Sequence, residues 1–584
     1  MEVKTRTKKI ERRSIKSSGK ANFPSSFPSL LQKIYQHRNI NEFSDTEKSL
    51  EKLLPYHKLA DIEKSSNLLY KHLLSQSSIT IIGDFDADGA TSTTVAIKCL
   101  KMLGAQNVNF LVPDRFKYGY GLTPEIVEAA NEKYSPQLIV TVDNGISSIE
   151  GVKKAKDCNI DVLVTDHHLA GNTLPEADAI VNPNQPDDEF ESKNLAGVGV
   201  IFYVMLALRN KLKALDWFEK NQINPPNLGS VLDIIALGTV ADVVPLDLNN
   251  RILVNQGLKR VRVGHACVGI KALIEVSGRN EQSLVASDFG FALGPRLNAA
   301  GRLEDMGIGI NCLLSENIQQ ARAYAKQLDA LNKERREIEG QMQEKALKTL
   351  DNLKFDDQVP MGMCMYDPDW HQGVIGILAS RIKDKLHRPV IIFAQGDNGE
   401  IKGSARSIPG IHIRDTLDSI ATQHPQLIKK FGGHAMAAGL SIEENAFTQF
   451  AKEFTTEIER TISEEDLQQI ILSDGELSDN DLTLDMAQVL KNAEPWGQAF
   501  PEPKFDGIFF VRERRVVGEK HLKLQLQPQN SQKWFDAIAF NILSDRNDMA
   551  FEVNTLVEVV YKLDVNEFRG NRSLQLMLDY IAPY

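Results

Sequence analysis

Long apolar runs are scarce in this chain of 584 residues, which excludes a membrane-spanning helix. The longest, Leu195–Leu208, is the size of a buried core helix and falls short of the roughly 18 residues a span needs. The basic N-terminus (Lys4, Arg6, Lys8, Lys9, Arg12, Arg13) leads into no apolar run, so it does not read as a secretory signal. Cysteine is sparse too. Cys99, Cys158, Cys267, Cys312 and Cys364 are scattered and form no CxxC, which removes a zinc-finger spacing and fits reduced thiols in the cytoplasm. Positive charge is in deficit, with 67 Lys and Arg against 78 Asp and Glu and a net charge of −11. As a global sum this argues against a protein that coats nucleic acid, whose usual footprint is basic. There is no internal repeat and no GxSxG elbow of the serine-hydrolase kind. What is present is ordinary for a globular chain: 42% hydrophobic and 25% charged residues, with length for three or four domains.

Residues 1–25 are polar, basic and Ser-rich and read as a disordered or loosely docked tail, the first part of a segment 1–46. A first domain is expected over 47–314. It begins with a helical pattern to about residue 76, and then short apolar strands (Ser78–Gly83, Val108–Val112, Leu138–Val142, Asp161–Thr165) alternate with helices. That alternation predicts an α/β fold with a parallel sheet covered on both faces. Residues 315–354 read as a long, exposed connecting helix, since 316–350 contain no Pro, one Gly and many charges. A second α/β domain is expected over 355–462. From 463 to 584 the pattern is β-rich, with five short strands between Ile508 and Leu578, as in a small barrel.

Acidic groups collect where the strands of the first domain end, the position at which open parallel sheets bind ligands. Ser78–Gly83 runs into Asp84-Phe85-Asp86-Ala87-Asp88-Gly89, Leu138–Val142 into Asp143-Asn144-Gly145, and Asp161–Thr165 into Asp166-His167-His168. An apolar helix, Ser230–Val240, ends at Asp242. Three carboxylates in five residues repel one another unless a hard cation neutralises them, and adding His167 moves the preference towards Mn²⁺ or a mixed Mn²⁺/Mg²⁺ site. Asp84–Gly89 also matches the start of a calcium loop, but position twelve is Val95 and the preceding element is a strand. A lone DxD is explained equally by a solvated acidic turn, Asp143 alone by a helix cap, and His168 alone by a core histidine. The set is stronger than its members.

DFDADGATS, VDNGIS, TDHH and GTVADVVPL, in this order, resemble the DHH phosphoesterase superfamily. VPDRFKYGYGL (Val112–Leu122) and LGPRLNAAGRL (Leu293–Leu303) narrow the resemblance to the RecJ family of single-stranded-DNA-specific 5′→3′ exonucleases. GSARS (Gly403–Ser407) and FGGHAMAAG (Phe431–Gly439) resemble the family's DHHA1-type second domain, and VNEFRGNRSLQLML (Val565–Leu578) its OB nucleic-acid-binding domain. One loop departs: where the family carries PFGxGNPEP this chain reads EPWGQAFPEP, which leaves the shape of that loop open.

The resemblance implies a two-metal exonuclease using Mn²⁺ or Mg²⁺, with Asp86, Asp88, Asp143, His167 and Asp242 as ligands. Asp84 is either a ligand or a base orienting water, Asp166 orients the motif, and His168 donates to the scissile phosphate. DNA or phosphate contact is expected from Arg115, Tyr118, Tyr120, Arg296, Asn298, Arg302, Ser404, Arg406, Gly432, Gly433, His434, Phe568 and Arg569. Trp534 and Phe535 are expected in the barrel core instead. The implied role is recombination and repair, including mismatch repair, releasing 5′-mononucleotides from single strands with a free 5′ end. A single-strand-binding protein and a RecQ-type helicase are the implied partners of a cytoplasmic monomer. The alternatives are a phosphodiesterase of short oligonucleotides or cyclic dinucleotides and a non-catalytic single-strand-binding scaffold. On the leading reading part of the acidity is offset by bound cations and the basic contacts are local, so net charge excludes less than it first suggests.

Overall fold

The computed structural model describes residues 8–15, 21–114, 120–352, 360–397, 399–493, 495–518, 520–542, 551–568 and 570–584. The chain divides into two compact units, one of Arg12–Asp329 with Leu472–Tyr584 and the other centred on Ala330–Ile471.

In the first unit, helix α1 (Ser29–Gln36) buries Leu31, Ile34 and Tyr35, so this part of the N-terminal segment is docked rather than free. Arg12 is docked as well, through an ion pair with Asp506 at 2.6 Å. The helical pattern from residue 47 resolves differently from expectation. Pro55 cannot sit inside a helix and disfavours helical backbone before it. Short 3₁₀ turns therefore occupy Leu50–Lys52 and Tyr56–Lys58, and α2 (Ile62–Leu74) starts only after Asp61.

Five parallel strands follow: β1 (Ile79–Ile82), β2 (Val108–Leu111), β3 (Leu138–Val142), β4 (Asp161–Thr165) and β5 (Ala179–Val181). Every residue of β1, β3 and β5 is buried, as continuous apolar strands under helical layers require. The order β2-β1-β3-β4-β5 places the topological switch point between β1 and β3, so the crevice opens where Asp84 and Asp143 follow their strands. Helix α3 (Ala87–Met102) leaves β1. The apolar helices α4 (Gly197–Ala214) and α5 (Leu232–Ala241) pack against it, and α6 (Gly294–Leu303) follows a π-helical turn at Phe289–Leu293.

The long helix α7 (Ile318–Asn352) forms as expected, but it is not exposed throughout. Ala321, Ala325 and Leu328 are buried in the first unit, while Met342, Ala346 and Leu350 join the core of the second with Val374, Leu378 and Ile392. Three- and four-residue spacings put these positions on one helical face, hidden in the sequence among the charges of the other faces.

The second unit carries β6 (Met363–Tyr366), helix α8 (Ile375–Leu386), β7 (Val390–Gln395), β8 (Glu400–Arg406), β9 (Lys430–Gly433) and β10 (Ala437–Glu443) in a mixed sheet, order β9-β10-β8-β7-β6. Back in the first unit, β11 (Phe505–Val517), β12 (His521–Pro528), β13 (Phe535–Ala539), β14 (Leu556–Phe568) and β15 (Asn571–Pro583) close into the expected barrel, order β11-β12-β13-β15-β14. Three of these strands run 13 residues, longer than their apolar runs, and bulges at Val511/Glu513 and Val560/Tyr561 let them bend. Phe535 is buried, but Trp534 is 54% exposed, because side chains alternate across a strand edge and only one of two neighbours faces inward. Among the described residues no helix is long and apolar enough to cross a membrane.

Candidate metal centre and nucleic-acid interface

The crevice is built by three loops and one helix end. After β1, Asp86 caps α3: its Oδ1 accepts from Asp88 N (2.6 Å) and Gly89 N (3.2 Å), so Asp88 lies in the first helical turn instead of in a loop. The N-terminus of α4 turns onto Asp88, whose carboxylate accepts from Gly197 N and from Val198 N at 3.0 Å. A Cβ at Gly197 would stand 2.7 Å from the Asp143 Cβ, so glycine is what allows this approach. After β3, Asp143 adopts φ +62°, uncommon for a non-glycine residue, and Tyr120 donates its hydroxyl to the Asp143 carbonyl at 3.0 Å. Val243, directly after Asp242, has φ +64°, a strained conformation for a β-branched residue and a mark often left by functional sites.

Three groups of side chains converge with one donor atom each within 4.8 Å of the others: Asp84, Asp86 and Asp143; Asp88, His167 and Asp242; and Asp143, His167 and His168. His167 Nε2 lies 3.1 Å from Asp143 Oδ1 and 3.6 Å from Asp242 Oδ2. Asp143 Oδ1 and Asp242 Oδ2 are buried and, among the described residues, accept no hydrogen bond. Burial, then the charges of Asp88, Asp86, Asp84 and Asp242, push the Asp143 carboxyl well above the usual range. Burial and the charges of Asp242 and Asp86 do the same to Asp88 against the pull of the Val198 and Gly197 amides. Asp242 is pushed up to about 7, by burial and then by Asp86. Hard oxygen donors with orphaned buried atoms and one imidazole fit divalent cations such as Mn²⁺ or Mg²⁺.

The second histidine is held differently. Asp166 Oδ1 accepts from His167 N, His168 N and His168 Nδ1 at 2.7, 3.1 and 2.7 Å, and its Oδ2 from Ile146 N at 2.9 Å. Burial raises the Asp166 carboxyl, but the hydrogen bond and charge of His168 outweigh it and hold it low. Burial opposes charging His168, yet Asp166, Asp242 and Asp84 lift it to about 9, so it carries a proton at neutral pH. Asn182 and Asn184 donate to the His168 and His167 carbonyls at 2.9 and 2.6 Å, fixing the motif from behind. These asparagines and the Gly197–Val198 amides were not foreseen. The paired glycines Gly197 and Gly199 opening an apolar helix were the available signal for the latter.

The residues expected to touch DNA scatter. Arg115, Tyr118 and Arg569 lie outside the described residues, and Phe568 is the last residue of β14. Tyr120 is 48% exposed and packs edge-on to Phe85 and His168, with ring centroids 6.1 and 5.8 Å away. Arg302 is half-buried at the end of α6. Arg296 and Asn298 depart from expectation: Arg296 is buried against Asp329 at 2.8 Å and the Ala292 carbonyl at 2.6 Å, and Asn298 Oδ1 accepts from Ala87 N at 2.7 Å. The Arg296 donors and the Asn298 carbonyl oxygen are spent inside the fold, where a sequence motif cannot show them.

In the second unit, Arg406 Nη1 donates to Ser404 Oγ (3.1 Å) and the Ala405 carbonyl (2.8 Å), and among the described residues no carboxylate pairs with it. Gly432, Gly439 and Ser404 stand in register across β9, β10 and β8, and a Cβ at Gly432 would meet nothing within 4 Å, which leaves bare surface beside the hydroxyl. Gly433 has φ +145°, and His434 is exposed. On the barrel, Trp534 joins Phe510, Arg512, Gln527 and Asn554 around a groove of about 730 Å³.

Comparison with known proteins adds the family. The DHH family, N-terminal domain, matches residues 78–239, the DHHA1 domain 359–462 and the RecJ OB domain 473–580. The single-stranded-DNA-specific exonuclease RecJ of Salmonella typhimurium is 52% identical over 96% of this chain and 97% of its own length. The chain belongs to the RecJ family. The RecJ of Escherichia coli is 51% identical over 96% of this chain and 97% of its own. Among solved structures, RecJ from Thermus thermophilus in complex with Mn²⁺ superposes with a TM-score of 0.78 at 29% identity, covering 95% of this chain and 76% of that one. The loop whose sequence departs from the family pattern is held by aromatic packing. Ala499 takes φ +57°, Trp496 stacks on Phe500 at 5.2 Å, and Arg251 lies 4.2 Å over the Phe500 ring.

Proposed function

We propose that this RecJ-family chain is a metal-dependent exonuclease that degrades single-stranded DNA from a free 5′ end to 5′-mononucleotides in recombination and repair, including mismatch repair. The observation that carries the reading is the buried crevice of five aspartates and His167, with orphaned carboxylate oxygens at Asp143 and Asp242. Asp84, Asp86 and Asp143 would hold one cation and Asp88, His167 and Asp242 the other. Divalent cations bound there lower the pKa of water and offset charge on the phosphate. The chain's own contribution is orientation and a proton: Asp166 fixes His168, which at neutral pH presents N–H to a phosphate oxygen as charge develops. The long connector and barrel count against a phosphodiesterase of short oligonucleotides or cyclic dinucleotides.

Ser404 and Arg406 take the terminal 5′-phosphate, supported by a guanidinium that no carboxylate among the described residues pairs with and by the glycine row beside it. Gly432, Gly433 and His434 border that cradle. In the first unit, Arg302 and Tyr120 contact the strand. Trp534 and Arg512 give the barrel a stacking platform tolerant of sequence. The five cysteines are all unpaired, which supports a reducing, cytoplasmic setting. A single-strand-binding protein and a RecQ-type helicase are the proposed partners of a monomer.

Digestion of end-labelled single strands in Mn²⁺, Mg²⁺ or EDTA tests the reading. The expected result is metal-dependent release of mononucleotides from the 5′ end alone. Release from the 3′ end, or turnover in EDTA, overturns it.

A further inference from the structure

The motif GPRLNAAGR carries an Asn and two Arg in the pattern of a phosphate contact, yet helix α6 uses two of the three inside the protein. Four amides open α3 without intrahelical partners, as at any helix start. Asp86 takes those of Asp88 and Gly89, and Ala87 N goes to Asn298 Oδ1 at 2.7 Å, the acceptor end of the amide. One turn on, α6 touches the same loop again. A Cβ at Gly301 would lie 1.6 Å from the Phe85 carbonyl oxygen, so the helix backbone rests directly on the peptide between Asp84 and Asp86. The start of α6 abuts the helix that delivers Asp242: a Cβ at Gly294 would lie 3.0 Å from the Ala241 Cβ. Arg296 anchors this helix to α7. Its Nε and Nη2 bond Asp329 at 2.9 and 2.8 Å, its Nη1 bonds the Ala292 carbonyl at 2.6 Å, and its side chain is 10% exposed.

We propose that α6 is a clamp on the metal-binding loop: Asn298 and Gly301 fix the path of Asp84–Asp88, and Arg296 holds the clamp in place instead of contacting DNA. One helix then touches two of the three segments that carry carboxylates of the centre, the Asp84–Asp88 loop and the end of α5. Without Asn298, the Ala87 amide has no acceptor and competes for the Asp84 or Asp86 carboxylate. Asn298 is a positioning residue. The inference rests on the metal-dependent reading above.

The two roles of Asn298 use opposite ends of its amide, so substitutions separate them. Asn298→Ala removes both ends, whereas Asn298→Asp keeps an acceptor for Ala87 N and presents negative charge to any phosphate. The experiment is calorimetric titration of the full-length, metal-free protein with Mn²⁺. Alongside it, binding of a 5′-phosphorylated single strand is measured in EDTA, and melting curves check the fold. Asn298→Ala is expected to weaken Mn²⁺ binding by roughly 10–100-fold, the usual cost of losing a group that orients a ligand, and to leave strand binding in EDTA unchanged. Asn298→Asp is expected to restore most of the Mn²⁺ affinity. Wild-type Mn²⁺ affinity in Asn298→Ala, or Asn298→Asp binding Mn²⁺ no better than Asn298→Ala, overturns the clamp. So does loss of strand binding in EDTA by Asn298→Ala. A wild-type protein that binds no Mn²⁺ overturns the functional reading itself, a different failure.

Discussion

Two buried aspartates of the same unit sit in opposite electrostatic worlds. Asp143 is 2% exposed and Asp474 3%. Asp474 meets Arg38 bidentately at 2.9 and 3.1 Å, His37 Nδ1 at 2.9 Å and Lys504 N at 3.2 Å. Burial raises its carboxyl, but His37 and Arg38 outweigh that and hold it at about 2. Asp143 faces four other aspartates and His167, and burial with their charge drives it the other way. The lesson is that burial does not fix the state of a carboxylate; the partner does. At Asp474 the protein supplies the cation. In the crevice it leaves that place to a metal.

Exchanging the two aspartates' fortunes tests the contrast. Asp143→Asn should cut cleavage at saturating Mn²⁺ by more than the roughly 100-fold that follows loss of an outer ligand contact. The same change should raise the melting temperature in EDTA, because one of several crowded like charges is gone. Retained turnover would refute the ligand assignment.

His168→Gln should lower kcat by about 10²–10³-fold with little change in KM, as expected for a donor used in the transition state. With its pKa raised to about 9 in the folded protein, His168 adds stability that is complete below about 6.5 and is lost as pH rises through 9. Melting curves in EDTA should show that alkaline loss for the wild type, and His168→Gln should lack it.

Asp474→Asn should cost about 3–5 kcal/mol in denaturant unfolding, since the Arg38 charge is left buried without its acid. Turnover per folded molecule should stay as in wild type, and a specific loss of catalysis would break the contrast.

The smallest effects come from pH alone. The depressed Asp474 gives stability that is present above 3.8 and lost as pH falls through about 2, a loss that Asp474→Asn should not show. The raised Asp242, at about 7, has the reverse sign: in EDTA, acidification from pH 8 to 5 should raise the melting temperature, and Mn²⁺ should abolish that gain. Melting curves with and without metal check both.

Periodicity and strand-end chemistry carried much of this protein. Leu138–Val142 and Asp161–Thr165 are strands to the residue, because buried parallel strands are written as unbroken apolar runs. Three of the four acidic or imidazole element ends were legible for a related reason: the loops after parallel strands share one edge of the sheet, so residues distant in sequence meet there. The helical pattern before Ile62 misled because apolar spacing continues through Pro55 while the backbone cannot.

What the tertiary structure alone decided is which polar atoms are already spent. Arg296, Asn298 and Arg406 all sit in motifs that read as phosphate contacts. Arg296 turns out to be neutralised by Asp329 and Asn298 to cap α3, while Arg406 is left without a carboxylate among the described residues. A motif fixes the residue type and hence the bonds it is able to make. Whether such a bond is free for a ligand depends on partners brought in from elsewhere in the chain, and only folding supplies them.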